Sequence, residues 1–207
     1  MVRTVMKSVK AGNRELIPSK VVCVGRNYTR HIEELGNERP EKMVIFNKPN
    51  SSLSDTLRYF GPDTRFECEL CLLMENSSVA ALGLGLDLTH AGIQNDLKSK
   101  GLPWERAKAF DGSAVMSEFI AIDNLSENIL FELRLNGTVA QRGESSGMIY
   151  DITQIIEEIE SFMTLEDGDI VMTGTPEGVG NYRRSDRFDA TLTIDGRSVL
   201  ECSWIAR

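Results

Sequence analysis

Hydrophobic and polar positions along the chain predict more strands than helices. Short apolar runs bounded by turn residues, and alternating runs, are typical of strands. Two hairpins are expected at Asn136-Gly137 and Asp195-Gly196, because these dipeptides tolerate the positive backbone dihedrals of tight turns. The other expected strands cover 21–25, 42–49 and 65–74, and a turn, a strand and a glycine-rich loop follow one another in "DGDIVMTGTPEGVG".

Three segments carry helical patterns. One runs from Tyr28 to Leu35 before Gly36, and another from Thr89 to Lys100 before Gly101. The clearest begins at Asp151, which can cap the helix together with Gln154. Its apolar stripe consists of Ile152, Ile155, Ile156, Ile159, Phe162 and Met163. Because strands outnumber helices and hairpins dominate the second half, we expect an α+β fold on a mixed or antiparallel, barrel-like sheet.

Length and charge narrow the class of protein. The 207 residues suit one large domain or two small ones, and the net charge of −8 argues against nucleic acid as a partner. No apolar run reaches the ~18 residues of a membrane span, and the N-terminus lacks the pattern of a secretory signal. We therefore expect a cytoplasmic protein with reduced thiols.

Cys68 and Cys71 form a lone C-x-x-C pattern. It could be a redox pair or half of a zinc site, but no second pair exists and no helix start follows. Strand alternation would point the two thiols to opposite faces, which favours ordinary buried cysteines.

Glu67 and Glu69 are the strongest chemical signal, because residues two apart on a strand share one face. Adjacent carboxylates in an apolar setting need a cation or a proton to offset their repulsion. Asp87 follows an apolar run just before a predicted helix and could join them, and three carboxylates suit Mg²⁺ or Mn²⁺. Alternatively, Glu67 and Glu69 lie on the solvent-exposed face of an edge strand. Asp87 would then only stabilise the N-terminus of the following helix through the helix dipole.

His31 and Glu34 share one face of the first predicted helix. A carboxylate partner raises the basicity of the imidazole, as a general base for water requires. The alternative is a solvated helix turn with an incidental ion pair.

Lys108 lies between Trp104 and Phe110. It could stabilise a developing oxyanion, or simply extend its charge to solvent past the aromatic rings. The loop 173–180 could offer backbone amides to an anion or be an ordinary turn, and it lacks the ending of a nucleotide-binding loop.

Taken together, these motifs and seven stretches of the sequence around them resemble the fumarylacetoacetate hydrolase family, in particular its small single-domain members. The matching stretches are "VGRNYTRHIEEL", "FNKP", "ECEL", "LDLT", "KGLPWERAKAFDGS", "NGTVAQRGESSGMI" and "LEDGDIVMTGTPEGVG". They run from about Val21 to Trp204. We therefore expect one catalytic domain over 1–207, with 1–20 as an N-terminal extension or edge segment.

The resemblance implies a mixed β-roll or barrel, a homodimer, and Mg²⁺ or Mn²⁺ held by three acids. The implied metal ligands are Glu67, Glu69 and Asp87. The implied catalytic residues are His31, Glu34 and Lys108, and the implied substrate-contacting residues are Arg26, Lys48, Gln94 and Thr175.

The chain departs from the family pattern in two places. The segment between Glu69 and Asp87 is short, and "HAG" (90–92) stands where close relatives often carry an Arg that is a carboxylate clamp. These departures leave the substrate open more than the metal.

The resemblance implies chemistry on a 2-oxo acid. His31 and Glu34 favour hydrolysis of the carbon–carbon bond of an acylpyruvate through an enolate, and the missing Arg keeps oxaloacetate tautomerisation or decarboxylation as alternatives. A protein that binds metal and dicarboxylate without turnover is the alternative of another class.

Overall fold

The computed structural model describes residues 6–29 and 42–207. The predicted helix from Tyr28 to Leu35 lies almost wholly outside them, as do His31 and Glu34. Within the described ranges, no helix is long and apolar enough to cross a membrane.

Strands make up most of the described secondary structure. In chain order they are β1 Val9–Ala11, β2 Arg14–Leu16, β3 Lys20–Gly25, β4 Val44–Pro49, β5 Leu53–Ser54, β6 Thr64–Phe66, β7 Cys68–Glu75, β8 Ser78–Asp87, β9 Thr89–His90, β10 Ala114–Met116, β11 Ile120–Ala121, β12 Ile129–Leu135, β13 Thr138–Glu144, β14 Ile170–Met172, β15 Gly180–Asn181, β16 Arg187–Ile194 and β17 Arg197–Ile205. The helices of the described part are α1 Ala91–Ser99, α2 Glu105–Lys108 and α3 Ile152–Glu160, with 3₁₀ turns at Asn50–Ser52 and Ser145–Gly147.

The main sheet is mixed and curls into a half-barrel. Its order is β4-β3-β14-β7-β8-β10-β5, with β11 added beside β8. The pairs β3–β14 and β5–β10 are parallel and the others antiparallel. A four-stranded antiparallel sheet, β13-β12-β16-β17, accompanies it, and smaller sheets are formed by β1-β2 and by β15-β6-β9. This mixed architecture with few helices confirms the predicted α+β class.

Each face of the main sheet contributes to a separate apolar core. On β7, Leu70 and Leu72 join a core that also takes Phe131 and Phe188 from the four-stranded sheet. The alternate residues of β7 join a second core with β3, β14 and the N-terminal hairpin; its members include Cys71, Leu73, Val21, Cys23, Met172, Val9 and Ala11. We call this second face of the main sheet the site face, because the chemical groups lie at its edge.

The cysteines follow the alternation that the sequence predicted. Cys68 is buried in the first core and Cys71 in the second, so their side chains lie on opposite faces of β7. Burial raises the pKa of both thiols well above the usual range, and the pKa of Cys202 to about 12. The geometry supports buried structural cysteines rather than a redox pair.

Two predicted elements need correction. The strand expected over 65–74 is interrupted at Glu67, where β6 leaves for a small sheet and β7 joins the main one. The third helix ends at Glu160, so Phe162 lies beyond the stripe and is 57% exposed. In both places the hydrophobic pattern of the sequence continues beyond the residue at which the backbone hydrogen bonding of the element ends.

Candidate active site

Three carboxylates meet at the edge of the site face. Glu69 lies on β7, Asp87 ends β8, and Glu67 occupies the gap between β6 and β7. The Asp87 amide donates to the Glu67 carbonyl at 2.8 Å, which fixes the two segments to each other. One oxygen from each carboxyl group lies within 4.8 Å of the others.

The sequence predicted that Glu67 and Glu69 would share a face of one continuous strand. The strand is interrupted at Glu67, but Phe66 and Cys68 both lie in the first core, so Glu67 and Glu69 point away from that core. Thr89 Oγ1 donates to Glu67 Oε1 at 2.9 Å. Glu69 is 2% exposed, and its Oε2 accepts from the Gly174 amide at 2.7 Å. Both side chains therefore have fixed orientations.

Lys108 lies among these acids rather than in solvent. Its ammonium donates to Glu67 Oε2 at 2.8 Å and to Asp87 Oδ2 at 2.6 Å. Burial alone would lower the pKa of Lys108, but the two carboxylates outweigh it and raise the pKa above the ordinary value. The two carboxylates therefore favour the ammonium form of this side chain.

Lys48 is a second buried cation, and it is 0% exposed. Its Nζ lies 2.8 Å from Asp87 Oδ1, and it donates to the Lys108 carbonyl and to Ser113 Oγ, the latter at 3.0 Å. These bonds hold α2 and Asp87 in position. A direct contact between Lys48 and substrate stays a prediction.

The three acids fit a hard divalent cation. Burial, followed by the charges of Asp87 and Glu67, raises the pKa of Glu69 well above its usual range. Oxygens of all three carboxyl groups lie within 4.8 Å of one another, and Lys48 and Lys108 both contact Asp87. Clustered carboxylate oxygens are donors that Mg²⁺ and Mn²⁺ prefer.

The structure gives a position for each of the other predicted substrate residues. Arg26 follows β3 with a φ of 59°, a strained conformation that functional sites often retain. Gln94 is half-buried on α1. Thr175 is buried, and its Oγ1 donates to the Cys68 carbonyl at 2.9 Å. Ala91 is buried at the start of α1, so the position of the missing Arg supplies no charge. The roles of these residues stay predictions.

Gln141 is a residue that the sequence reasoning missed. Its Oε1 accepts from the Cys68 amide at 2.8 Å, and its Nε2 donates to Thr175 Oγ1 at 2.8 Å. It thus fastens the loop 173–180 to the strand break beside Glu67. The available signal was a polar residue at an inward position of β13, opposite the buried Leu133.

Comparison with known proteins places the chain among relatives over most of its length. A family model described as "Fumarylacetoacetate (FAA) hydrolase C-terminal" matches residues 20–203. The oxaloacetate tautomerase YcgM of Escherichia coli is 38% identical over 200 residues, covering 87% of this chain and 90% of that protein. The mitochondrial oxaloacetate tautomerase of Schizosaccharomyces pombe is 37% identical over 194 residues, covering 84% and 88%.

A solved structure extends the likeness to three dimensions. Fumarylpyruvate hydrolase from Pseudomonas aeruginosa, crystallised in complex with Mn²⁺ and pyruvate, has a TM-score of 0.89 with this chain at 26% identity. The match covers 100% of this chain and 97% of that one. The fold that the sequence resemblance implied is therefore confirmed.

Proposed function

Because the chain belongs to the fumarylacetoacetate hydrolase family, we propose that it interconverts the keto and enol forms of oxaloacetate or a closely related 2-oxo dicarboxylic acid. The observation that carries the proposal is the cluster of Glu67, Glu69 and Asp87 with the Lys108 ammonium in contact. The names of the two tautomerase relatives favour this reaction over the hydrolysis that the sequence alone favoured.

Glu67, Glu69 and Asp87 would hold Mg²⁺ or Mn²⁺ in this proposal. The ion would supply Lewis acidity that favours the enol form of a 2-oxo acid. The protein's contribution is orientation: the Gly174 amide fixes Glu69, and the Thr89 hydroxyl fixes Glu67. Such supporting hydrogen bonds commonly change metal affinity or activity by about 10- to 100-fold.

Lys108 would stabilise the negative charge that develops on the 2-oxo oxygen. Its Nζ contacts Glu67 Oε2 and Asp87 Oδ2, two of the three proposed metal ligands, and its buried position strengthens the interaction with a developing charge. With Lys108 acting as a cation, the C3 proton needs a separate base, and the family resemblance assigns that role to His31, supported by Glu34.

Hydrolysis of a carbon–carbon bond is the second candidate. The structural neighbour that binds Mn²⁺ and pyruvate is a fumarylpyruvate hydrolase, which favours this reaction as the alternative. Both reactions need an enolate at the same place, and they differ in whether His31 activates a water.

The test is an assay of purified protein with Mg²⁺ or Mn²⁺. We expect faster decay of the oxaloacetate enol absorbance than in a metal-only blank, without consumption of oxaloacetate, and loss of this activity in EDTA. Glu69→Gln should lower kcat/KM by more than about 100-fold because it removes a proposed metal ligand. Glu75→Gln, at the far end of the same strand and outside the acidic cluster, is the matched control.

Three outcomes separate the candidates. Release of pyruvate from acetylpyruvate, lost in His31→Ala while metal affinity is kept, would favour hydrolysis. Bound metal without turnover of either substrate would favour a binding protein. Full activity in Glu69→Gln would show that the acidic cluster is not the reaction centre.

A further inference from the structure

Cys68 lies between two of the three proposed metal ligands, and side chains hold its backbone where a strand would otherwise do so. Strand β14 pairs with β7 only as far as Met172 opposite Cys71. The chain then leaves strand geometry at Gly174, where φ is +102°. Among the strands of the described part, none reaches Cys68 on this side of β7, although the residue is fully buried. Its amide and carbonyl therefore need other partners.

Gln141 and Thr175 close a ring of hydrogen bonds around Cys68. The Cys68 amide donates to Gln141 Oε1 at 2.8 Å, and Gln141 Nε2 donates to Thr175 Oγ1 at 2.8 Å. Thr175 Oγ1 in turn donates to the Cys68 carbonyl at 2.9 Å. Because an amide N–H only donates and a carbonyl only accepts, the direction of every bond in the ring is fixed. All three residues are buried, so a lost partner would leave a polar group unsatisfied.

The ring is joined both to the acidic cluster and to the four-stranded sheet. Next to Thr175 in the chain, the Gly174 amide donates to Glu69 Oε2 at 2.7 Å. Gln141 Nε2 also donates to the Pro176 carbonyl at 3.0 Å, and the Gln141 backbone belongs to β13. One side chain from the four-stranded sheet therefore holds both the loop 173–180 and the backbone between two of the carboxylates.

A buried amide side chain can have a purely structural role, and Asn50 is such a case in the same chain. It is buried, accepts from the Lys7 amide, and donates to the carbonyls of Lys7 and Pro18, each at 2.8 Å. These bonds fasten the N-terminal segment and go to none of the three carboxylates. Gln141 differs because the backbone that it holds carries a proposed metal ligand on either side.

We propose that Gln141 is a positioning residue of the metal site, which sets the separation and orientation of the Glu67 and Glu69 carboxylates through the backbone between them. The inference rests on the proposed function, which assigns a divalent cation to the acidic cluster. Without the Gln141 side chain, the Cys68 amide loses its acceptor and the Thr175 hydroxyl loses a donor. The ring then opens beside the ligands, and their geometry is no longer fixed before the ion binds.

The experiment measures Mg²⁺ and Mn²⁺ affinity by calorimetry without substrate, for the wild type, Gln141→Met and Asn50→Leu. Methionine keeps the length of the side chain but removes its hydrogen bonds. We expect Gln141→Met to weaken metal binding by about 10- to 100-fold, the usual effect of losing a group that orients a ligand. Asn50→Leu also removes a buried amide, but it should change the affinity by less than about twofold because distant sites act independently.

The variant Thr175→Val tests whether the effect belongs to the ring. It should weaken metal binding in the same direction, and the double variant with Gln141→Met should lose less affinity than the sum of the two, because both changes open one network. If Gln141→Met does not fold, Thr175→Val alone takes its place with the same expectation. Thermal unfolding of each variant measures the accompanying loss of stability.

Unchanged metal affinity in Gln141→Met would overturn the inference. Equal losses of affinity in Gln141→Met and Asn50→Leu would also overturn it, because they would indicate a general effect of stability. A wild type that binds neither ion would refute both the inference and the metal site. Turnover of oxaloacetate is assayed separately: metal affinity that depends on Gln141 without turnover would refute the proposed function and support the role of Gln141.

Discussion

At the scale of single residues, buried carboxylates are used in two different ways. Glu69 is buried beside the carboxylates of Asp87 and Glu67, so its charge opposes folding unless a cation accompanies it. Asp169 instead accepts hydrogen bonds from the Ser19 amide at 2.9 Å and the Glu166 amide at 3.0 Å, and pairs with Lys20. The first arrangement is suited to binding a cation, and the second stabilises the fold.

Asp169 leads to a prediction about stability and pH. Burial alone would raise its pKa, but hydrogen bonds from Lys20 and Glu166 outweigh it and lower the pKa. A lowered pKa in the folded state gives stability that is complete above the unfolded value, about 3.9, and is lost as pH falls through the folded value. Asp169→Asn should therefore reduce the free energy of unfolding by about 1–3 kcal/mol at pH 7.

The measurement is urea unfolding of both proteins at pH 7 and at pH values below 4. The difference between them should remain constant from about pH 5 to 8 and shrink in acid. Asp123→Asn, at an exposed position, should change stability by less than about 0.5 kcal/mol. A difference that grows in acid would contradict the assigned direction of the pKa shift.

At the scale of elements, the loop 173–180 links the four-stranded sheet to the site. Its Gly174 amide orients Glu69, and Thr175 bonds to Gln141 of β13. Gly178 has a φ of +93°, and a Cβ there would meet the Ala140 carbonyl oxygen at 1.9 Å. The loop can take this path only with glycine at that position.

Gly178→Ala should destabilise the protein by more than about 1 kcal/mol, because the cost of the strained backbone and the cost of the collision with a backbone atom are added together. Activity should fall as well, since the loop holds Glu69. Gly196→Ala is the matched control, because Gly196 also has a positive φ of +75° but no atom within 4 Å of the added carbon. The measurement is the urea unfolding midpoint of the wild type and both variants, compared at an unchanged m-value. Equal midpoints for Gly178→Ala and the wild type would mean that the loop relaxes around the added carbon and would contradict the prediction.

At the scale of the whole molecule, the family resemblance predicts a homodimer. We propose that two copies associate in solution, and the apolar side chains left exposed on the outer strand β17, Val199 and Ile205, are consistent with contact surfaces. Light scattering should give a mass twice the chain's 23.1 kDa. A mass of one chain at micromolar concentration would contradict the proposal.

Local chemistry allowed several elements to be predicted from the sequence. Asp151 and Gln154 form the expected capping box, and the Asn136-Gly137 hairpin has positive φ at both residues. Strand β3 coincides with the apolar run predicted over 21–25, because a strand that is buried on both faces needs apolar residues at successive positions. These features depend on residues close together in the chain, so one sequence is sufficient to define them.

The sequence by itself determined the residue types that could bind a hard cation and the strand-rich class, because both follow from local composition and alternation. Only the tertiary structure decided that β6 and β7 separate at Glu67, since the choice of sheet depends on distant strands. It also decided that Gln141 lies at the site and that Lys48, which the resemblance had implied, is fully buried against Asp87. Their positions depend on contacts between segments far apart in sequence, for which no periodic pattern encodes a partner.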